Sequence, residues 1–173
     1  MSVYRRFNCT RKDIKYLKNR INHICDLEKS TEKLWHVRGA SKNSIYEDML
    51  FIKRLYMNVK GVQYMHWIVL YDEDVDLETA DKVGQEILDL IYSEYDRQVV
   101  MSTHCNTEHF HNHFIINSVS YKDGRKFRGG IRDLQKFRTK INKILMQHGL
   151  TKVGKIEECD EEDAVREWNI YES

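Results

Sequence analysis

Proline is absent from the 173 residues, a compositional bias that carries no structural argument of its own. Cysteine is sparse and scattered. Cys9, Cys25, Cys105 and Cys159 lie far apart with no CxxC pair, which argues against a disulfide framework or a zinc ribbon and leaves free thiols as the default. No apolar run reaches the ~18 residues a membrane helix needs, and the basic N-terminus has no apolar stretch behind it to serve as a leader. The expectation is a soluble, cytoplasmic chain with no membrane insertion. Net charge is nearly lacking too, with 28 Lys and Arg against 27 Asp and Glu. What is present, 41 % hydrophobic and 11 % aromatic residues, excludes a wholly disordered chain and suits one domain with a real core.

The charge balance hides four blocks. Residues 1–60 carry 14 basic and 6 acidic groups, net +8; residues 61–100 carry 2 and 10, net −8. Residues 101–152 carry 10 and 3, net +7, and residues 153–173 carry 2 and 8, net −6. If the two basic blocks meet in space, they form a surface that attracts polyanions, nucleic acid above all.

Hydrophobic spacing sketches the elements. Ser2–Asn8 reads as a short edge strand. Thr10 caps a helix over about Arg11–Cys25, with Ile14, Leu17, Ile21 and Ile24 inward and Tyr16 and His23 stacked on the opposite face. Leu34–Val37 reads as a strand, and Ser44 caps a helix over Ile45–Tyr56. Val62–Tyr71, rich in aromatic and β-branched residues, reads as a central strand. A helix over Thr79–Tyr95 follows, then two adjacent strands, Gln98–His104 and His109–Tyr121. Asp123-Gly124 supplies a tight bend, and a last helix covers about Arg132–His148, stopped by Gly149. Irregular alternation with directly joined strands favours an α+β fold, an antiparallel sheet covered by helices. Residues 1–152 form the expected domain, and 153–173 an acidic C-terminal tail or linker.

The strongest signal is four histidines within ten residues: His104, His109, His111 and His113. Residues two apart on a strand share a face, so His111 and His113 offer neighbouring imidazoles to one ion. His104, ending the preceding strand, supplies a third from across a turn. Three neutral imidazoles leave coordination positions open, as a catalytic metal requires. Glu108 can accept a ligand's second N–H and fix its orientation. Asn117 lies on the same strand face, and His109 faces the same way and could replace a ligand. His66, beside Tyr64 and Ile68, is either a group behind the ligands or a satisfied core histidine. His36 and His148 read as surface residues.

The run from His104 to Val119 resembles motif III of conjugative relaxases, mobilisation nucleases of the HUH endonuclease superfamily. The series reads His104, Glu108, His109, His111, His113 and Asn117-Ser-Val119, followed by Asp123–Lys126. The resemblance extends from about Leu17 to Leu150, takes in Glu28–Thr31 and the Tyr64–His66 strand, and is closest to the MobP-type relaxases of Gram-positive mobile elements. It implies a five-stranded antiparallel sheet flanked by helices, with metal ligation by His104, His111 and His113. It implies nicking of single-stranded or melted DNA at a transfer origin, with accessory relaxosome proteins and a type IV secretion coupling protein as partners. A rolling-circle replication initiator shares the chemistry, and a DNA-binding protein that has kept the fold but lost catalysis is a further alternative. Two departures stand out. Asn106 occupies a position that is often Asp. The motif I tyrosine, counted back from Lys29, is replaced by His23, with Tyr16 two turns earlier on the same helix face as the alternative nucleophile.

A neutral imidazole, with pKa near ~6.5, already carries a lone pair at neutral pH, whereas a tyrosine of pKa near ~10 must first lose a proton. His23 and Glu108 are therefore the candidate catalytic groups. Manganese or magnesium is the expected cation, with zinc or nickel also compatible; magnesium matches nitrogen donors less well. Lys15, Lys18 and Arg20 flank His23, while Arg125, Lys126 and Arg128 follow the metal strand. All six are candidate phosphate contacts, which position DNA without reading it. Phe127 and Tyr121 are candidates for base stacking or core.

Overall fold

A computed structural model describes residues 3–8, 13–107, 109–127, 131–153 and 156–160. In chain order these form β1 (Val3–Asn8), α1 (Lys15–Ile24), a 3-10 turn (Glu32–Leu34), β2 (Trp35–Arg38), α2 (Ile45–Leu55), β3 (Tyr64–Leu70), α3 (Leu77–Tyr95), β4 (Val99–His104), β5 (His111–Asn117), α4 (Ile131–Gln147) and β6 (Ile156–Asp160). The fold is α+β as expected. Thr10 and Arg11 lie outside the described residues.

One sheet holds all six strands in the order β2-β4-β5-β3-β1-β6. The first five run antiparallel to their neighbours, whereas β6 pairs parallel with β1 through Tyr4↔Ile156 to Asn8↔Asp160. The sheet thus differs from the expected five antiparallel strands. The acidic stretch expected as a tail supplies the sixth, and β1 is interior rather than an edge. Periodicity could not foresee this, because Ile156–Asp160 carries only one strongly apolar side chain besides Cys159, and its partner is the backbone of β1.

Register divides the sheet into two faces, since antiparallel partners point the same way. On one face Val100, Ile115 and Tyr64 pack under α1 and α2 with Leu17, Ile21, Ile24, Ile45 and Met49. On the other, Trp67, Val69, Met101, Phe114 and Ile116 pack against Val83, Ile87, Leu88 and Ile91 of α3 and Phe137, Ile141 and Leu145 of α4. With helices on both faces, β3, β4 and β5 are buried almost throughout. Asp76 begins α3 by accepting from the Thr79 amide at 2.8 Å, placing the helix start before the expected Thr79. Ser44 precedes α2 but donates to the Asp48 carboxylate instead of capping the backbone. Among the described residues no helix is long and apolar enough to cross a membrane.

Candidate metal centre

His104 and His111 face each other across the β4–β5 ladder, and His113 lies opposite Ser102 two pairs further along. The period-two argument therefore holds, and all three rings project from the face covered by α1. One ligand atom from each lies within 4.8 Å of the other two. Ring centroids stand 5.1, 4.3 and 4.9 Å apart for the pairs 104–111, 104–113 and 111–113.

Each ring is held by its other nitrogen. His104 Nε2–H donates to the Ile24 carbonyl at 2.9 Å, which leaves the buried Nδ1 without an acceptor or donor. His111 Nδ1–H donates to the His109 carbonyl at 3.0 Å. A carbonyl only accepts, so both tautomers are fixed, with Nδ1 of His104 and Nε2 of His111 turned to an ion. His113 Nδ1 lies 3.0 Å from His66 Nε2, so its buried Nε2 is the nitrogen available to the cluster. Such anchoring of the far nitrogen is what orients metal-binding imidazoles.

His104, His113 and His66 are kept neutral. Burial, reinforced by the charge of His111, pushes His104 down to about 3. Burial likewise holds His113 and His66 well below the usual imidazole value, with His104 adding to the effect on both. Neutral, lone-pair-bearing nitrogens converging on one point fit a divalent cation, and nitrogen donors suit manganese, zinc or nickel.

Helix α1 delivers the neighbouring groups. Its last residue, Ile24, accepts the His104 bond, so His23 arrives beside the trio, close enough for its charge to depress His66, His104 and His113. Arg20, one turn earlier, acts on His66 in the same way. The loop after α1 is stitched to β4, where Ser30 Oγ donates to the Thr103 carbonyl at 2.8 Å and the Cys105 amide to the Lys29 carbonyl at 3.1 Å. The Glu28–Thr31 segment thus lies against the end of the ligand strand. Tyr16 packs against the apolar cluster under α1 and α2.

Other expected residues fall elsewhere. Glu108 and Arg128 lie outside the described residues. His109 lies outside the three-histidine group. Its carbonyl orients His111, and its ring lies 3.7 Å from the Glu73 carboxylate. Asn117 shares the face but sits at the far end of β5, fastened to the Met49 carbonyl (3.1 Å) and Gln98 (2.8 Å). His66 is buried with its Nε2 3.0 Å from His113 Nδ1. Lys15 and Lys18 reach back over the Tyr16 and Tyr46 rings at 5.2 and 5.5 Å. Arg125 and Lys126 follow β5 and so lie at the end of the sheet away from the histidines. Phe127 and Tyr121 are half-buried: Phe127 meets Trp67 and Tyr95 edge-on, and Tyr121 stacks on Tyr92 at 5.0 Å.

Sequence reading missed a buried network directly behind the ligands, on the α3 face. The Tyr71 hydroxyl donates to Asn112 Oδ1, and Asn112 Nδ2 donates to Thr103 Oγ1 at 2.9 Å. Thr103 Oγ1 donates to Asp81 at 2.7 Å, and Asp81 also accepts from His36 (2.9 Å) and Gln85 (2.9 Å). Burial raises the Asp81 carboxyl's proton affinity, but the hydrogen bonds from His36 and Thr103 outweigh it and hold the group below the usual carboxylate value. His36 is therefore no surface residue, and His148 likewise pairs with Glu86 at 2.8 Å. Asn112 sits between two ligands and Thr103 precedes the third, so the network clamps both ligand strands from behind. The polar Asn inside His111-Asn-His113 was the available signal, for a buried amide needs partners on its own face.

A family model described as the MobA/VirD2-like relaxase nuclease domain matches residues 8–150. Two proteins named Protein rlx from Staphylococcus aureus are similar. One is 32 % identical over 78 residues, 45 % of this chain and 23 % of the relative. The other is 28 % identical over 101 residues, 57 % and 31 % respectively. The matched stretches thus span under a third of those relatives' length. A solved structure concerned with the molecular basis of vancomycin resistance transfer in Staphylococcus aureus aligns over 71 % of this chain and 74 % of its own, at 14 % identity and a TM-score of 0.47.

Proposed function

The chain belongs to the MobA/VirD2-like relaxase nuclease-domain family, and on that premise we propose that it nicks and rejoins one strand of single-stranded DNA at a transfer origin, through a covalent 5′-phosphate link to His23. The observation that carries this reading is the convergence of three buried imidazoles, two of them held neutral by burial, with His23 close enough for its charge to act on them. A divalent cation held by His104, His111 and His113 would supply charge neutralisation at the non-bridging oxygens of the scissile phosphate. His66 holds His113 in its ligating orientation, and Ile24 and His109 do the same for His104 and His111 through their carbonyls.

The chain's own step is nucleophilic. A His23 ring nitrogen attacks phosphorus in line and the P–O3′ bond breaks. Its electron pair leaves on O3′, which takes up the proton the ring sheds. The phosphoramidate is reactive enough for the freed 3′-OH to attack later, expel the imidazole and restore the strand, so no nucleotide energy is needed. Arg20, whose charge reaches His66, stands where it would hold a strand phosphate. Helix geometry favours His23 over Tyr16. Seven residues at 1.5 Å each set Tyr16 about 10 Å further back along α1, away from the end whose Ile24 carbonyl touches His104.

A labelled single-stranded oligonucleotide spanning the element's own transfer origin, incubated with Mn²⁺ and run on a denaturing gel, tests this. The expected result is a protein–DNA adduct lost in His23→Ala, retained in Tyr16→Phe, and labile to acid as a phosphoramidate is. An adduct abolished only by Tyr16→Phe reassigns the nucleophile. Tight DNA binding with no adduct under any metal points to a binding protein that has lost catalysis.

A further inference from the structure

Strands β4 and β5 run antiparallel, so the start of one and the end of the other meet at the sheet edge opposite the histidines. There the turn before β4 and the segment after β5 enclose an open cavity of about 830 Å³, lined among others by Arg97, Ser120, Arg125 and Lys126, with Asp96 and Asp123 at its sides. Seven residues of extended chain separate Arg97 from His104, roughly 20 Å.

Arg97 is the unexplained group in this cavity. Its side chain is 7 % exposed, yet its one hydrogen bond runs to the neighbouring Asp96 carbonyl at 3.4 Å, and its buried Nε has no acceptor. A buried guanidinium with one long bond and no acceptor at Nε is costly, and such groups are rare unless something outside the chain completes them. The charges of Asp123 and Asp96 offset part of this cost from a distance, but the hydrogen bonds of both carboxylates go to other donors. Asp123 accepts the Arg125 amide at 3.0 Å and faces Arg125 Nε at 3.6 Å. Asp96 accepts from the Tyr121 hydroxyl at 3.4 Å and faces Lys122 at 3.9 Å. The Asp96 backbone is in the left-handed region, φ 53°, a costly conformation for a non-glycine residue. The Tyr121 amide, donating to the Asp96 carbonyl at 3.1 Å, helps hold it there. Arg97 is thus aimed by a constrained turn. Lys126 is pinned to the cavity wall by the Lys60 and Val62 carbonyls, and Arg125 lies exposed at the mouth, 86 % accessible.

We propose that this cavity is a phosphate-binding site, in which Arg97 grips the phosphate oxygens through its Nε–H and terminal N–H groups and Arg125 and Lys126 supply further positive charge. The planar fork of a guanidinium matches two oxygens of one phosphate, and three basic side chains outnumber two carboxylates around it. The phosphate can come from a DNA strand running on from the histidine cluster or from free phosphate; the first source rests on the function proposed above. As a strand site it would fix a phosphate several nucleotides from the scissile bond and set the strand's direction across the sheet.

The full chain is titrated with inorganic phosphate, and separately with a short and a long single-stranded thymidine oligonucleotide, while the Arg97 Nε–H resonance is followed by 1H–15N NMR. The expected result is a saturable shift of that resonance with phosphate and with the long oligonucleotide. Arg97→Gln then binds the long oligonucleotide roughly 10-fold more weakly, with the salt slope reduced by about 0.7 and short-oligonucleotide and Mn²⁺ binding unchanged. A shift with phosphate, with equal long-oligonucleotide affinity in wild type and Arg97→Gln, supports the site with free phosphate as its source. A shift with phosphate when neither oligonucleotide binds leaves the cavity standing and removes the nicking function. An Arg97 Nε–H that stays in place in every titration while the oligonucleotides bind overturns the cavity and leaves the nicking function intact. Should Arg97→Gln fail to fold, the wild-type titrations decide alone, with Arg125→Gln, at the exposed mouth, expected to weaken the phosphate response.

Discussion

Replacing Asn112 by leucine probes how the reverse face of the sheet serves the metal centre. Asn112 is fully buried, and its side chain accepts from the Tyr71 hydroxyl and donates to Thr103 Oγ1. Leucine keeps the branching of the side chain but is bulkier, so overpacking only adds to the polar losses. Thr103 still donates to Asp81, and losing one of its two bonds costs about 1 kcal/mol. The Tyr71 hydroxyl, on a ring 1 % exposed, is left as a buried donor without an acceptor, at about 1–3 kcal/mol. Asn112→Leu should therefore destabilise the metal-free chain by about 2–4 kcal/mol, and Tyr71→Phe alone by about 1–2 kcal/mol, since it strands the amide oxygen. In the double variant neither stranded partner remains, so urea unfolding should give a loss smaller than the sum by at least about 1 kcal/mol. Because residue 112 sits between two ligands, Mn²⁺ affinity measured by calorimetry should fall about 10- to 100-fold in Asn112→Leu. An additive cycle together with wild-type Mn²⁺ affinity would show that the network neither couples these groups nor holds the ligands.

The metal-free chain should lose stability as pH falls from 6.5 toward 3. Folded His104 resists protonation down to about 3 while the unfolded chain protonates near ~6.5, so below 6.5 the unfolded state binds more protons, at about 1.4 kcal/mol per pH unit for each such histidine. His66 and His113 shift in the same direction; equal urea midpoints at pH 5 and pH 7 would contradict this. Gly124→Ala should lower the melting temperature by about 4–8 °C. Residue 124 has φ +72° and an added Cβ would come within 2.3 Å of the Tyr56 ring; an unchanged melt would mean that the turn and Tyr56 can separate freely.

Most of the architecture was legible because it is written in side chains. Leu17, Ile21 and Ile24 of α1 and Ala80, Val83, Ile87 and Ile91 of α3 are buried as their spacing requires. The central strands announce themselves through Val, Ile and aromatic content. What stayed hidden was carried by the backbone. β6 joins through a parallel ladder to β1, and such pairing leaves no periodic mark when the residues are acidic. The start of α3 lies before Thr79 because the Asp76 carboxylate accepts from both the amide and the hydroxyl of Thr79.

The histidine cluster was legible for a different reason: the strand period alone puts His111 and His113 on one face, and no knowledge of packing is needed. Orientation is another matter. His104 presents Nδ1 to the cluster only because α1 ends with the Ile24 carbonyl against its Nε2, a contact between residues eighty apart that no local pattern encodes. The same contact bears on the charge blocks. The basic N-terminal block and the histidine segment do meet, yet only through the last turn of α1, where Arg20 and His23 reach the cluster. Lys15 and Lys18 lie on the earlier turns, and Arg125 and Lys126 at the opposite sheet edge. The positive groups are therefore split into two stations separated by the length of β4 and β5. An extended polyanion can span two such stations, whereas a compact one can occupy only one at a time. Affinity that rises steeply once an oligonucleotide is long enough to reach from His23 to Arg97 is the signature of that division, and a length-independent affinity would mean that a single station does all the binding.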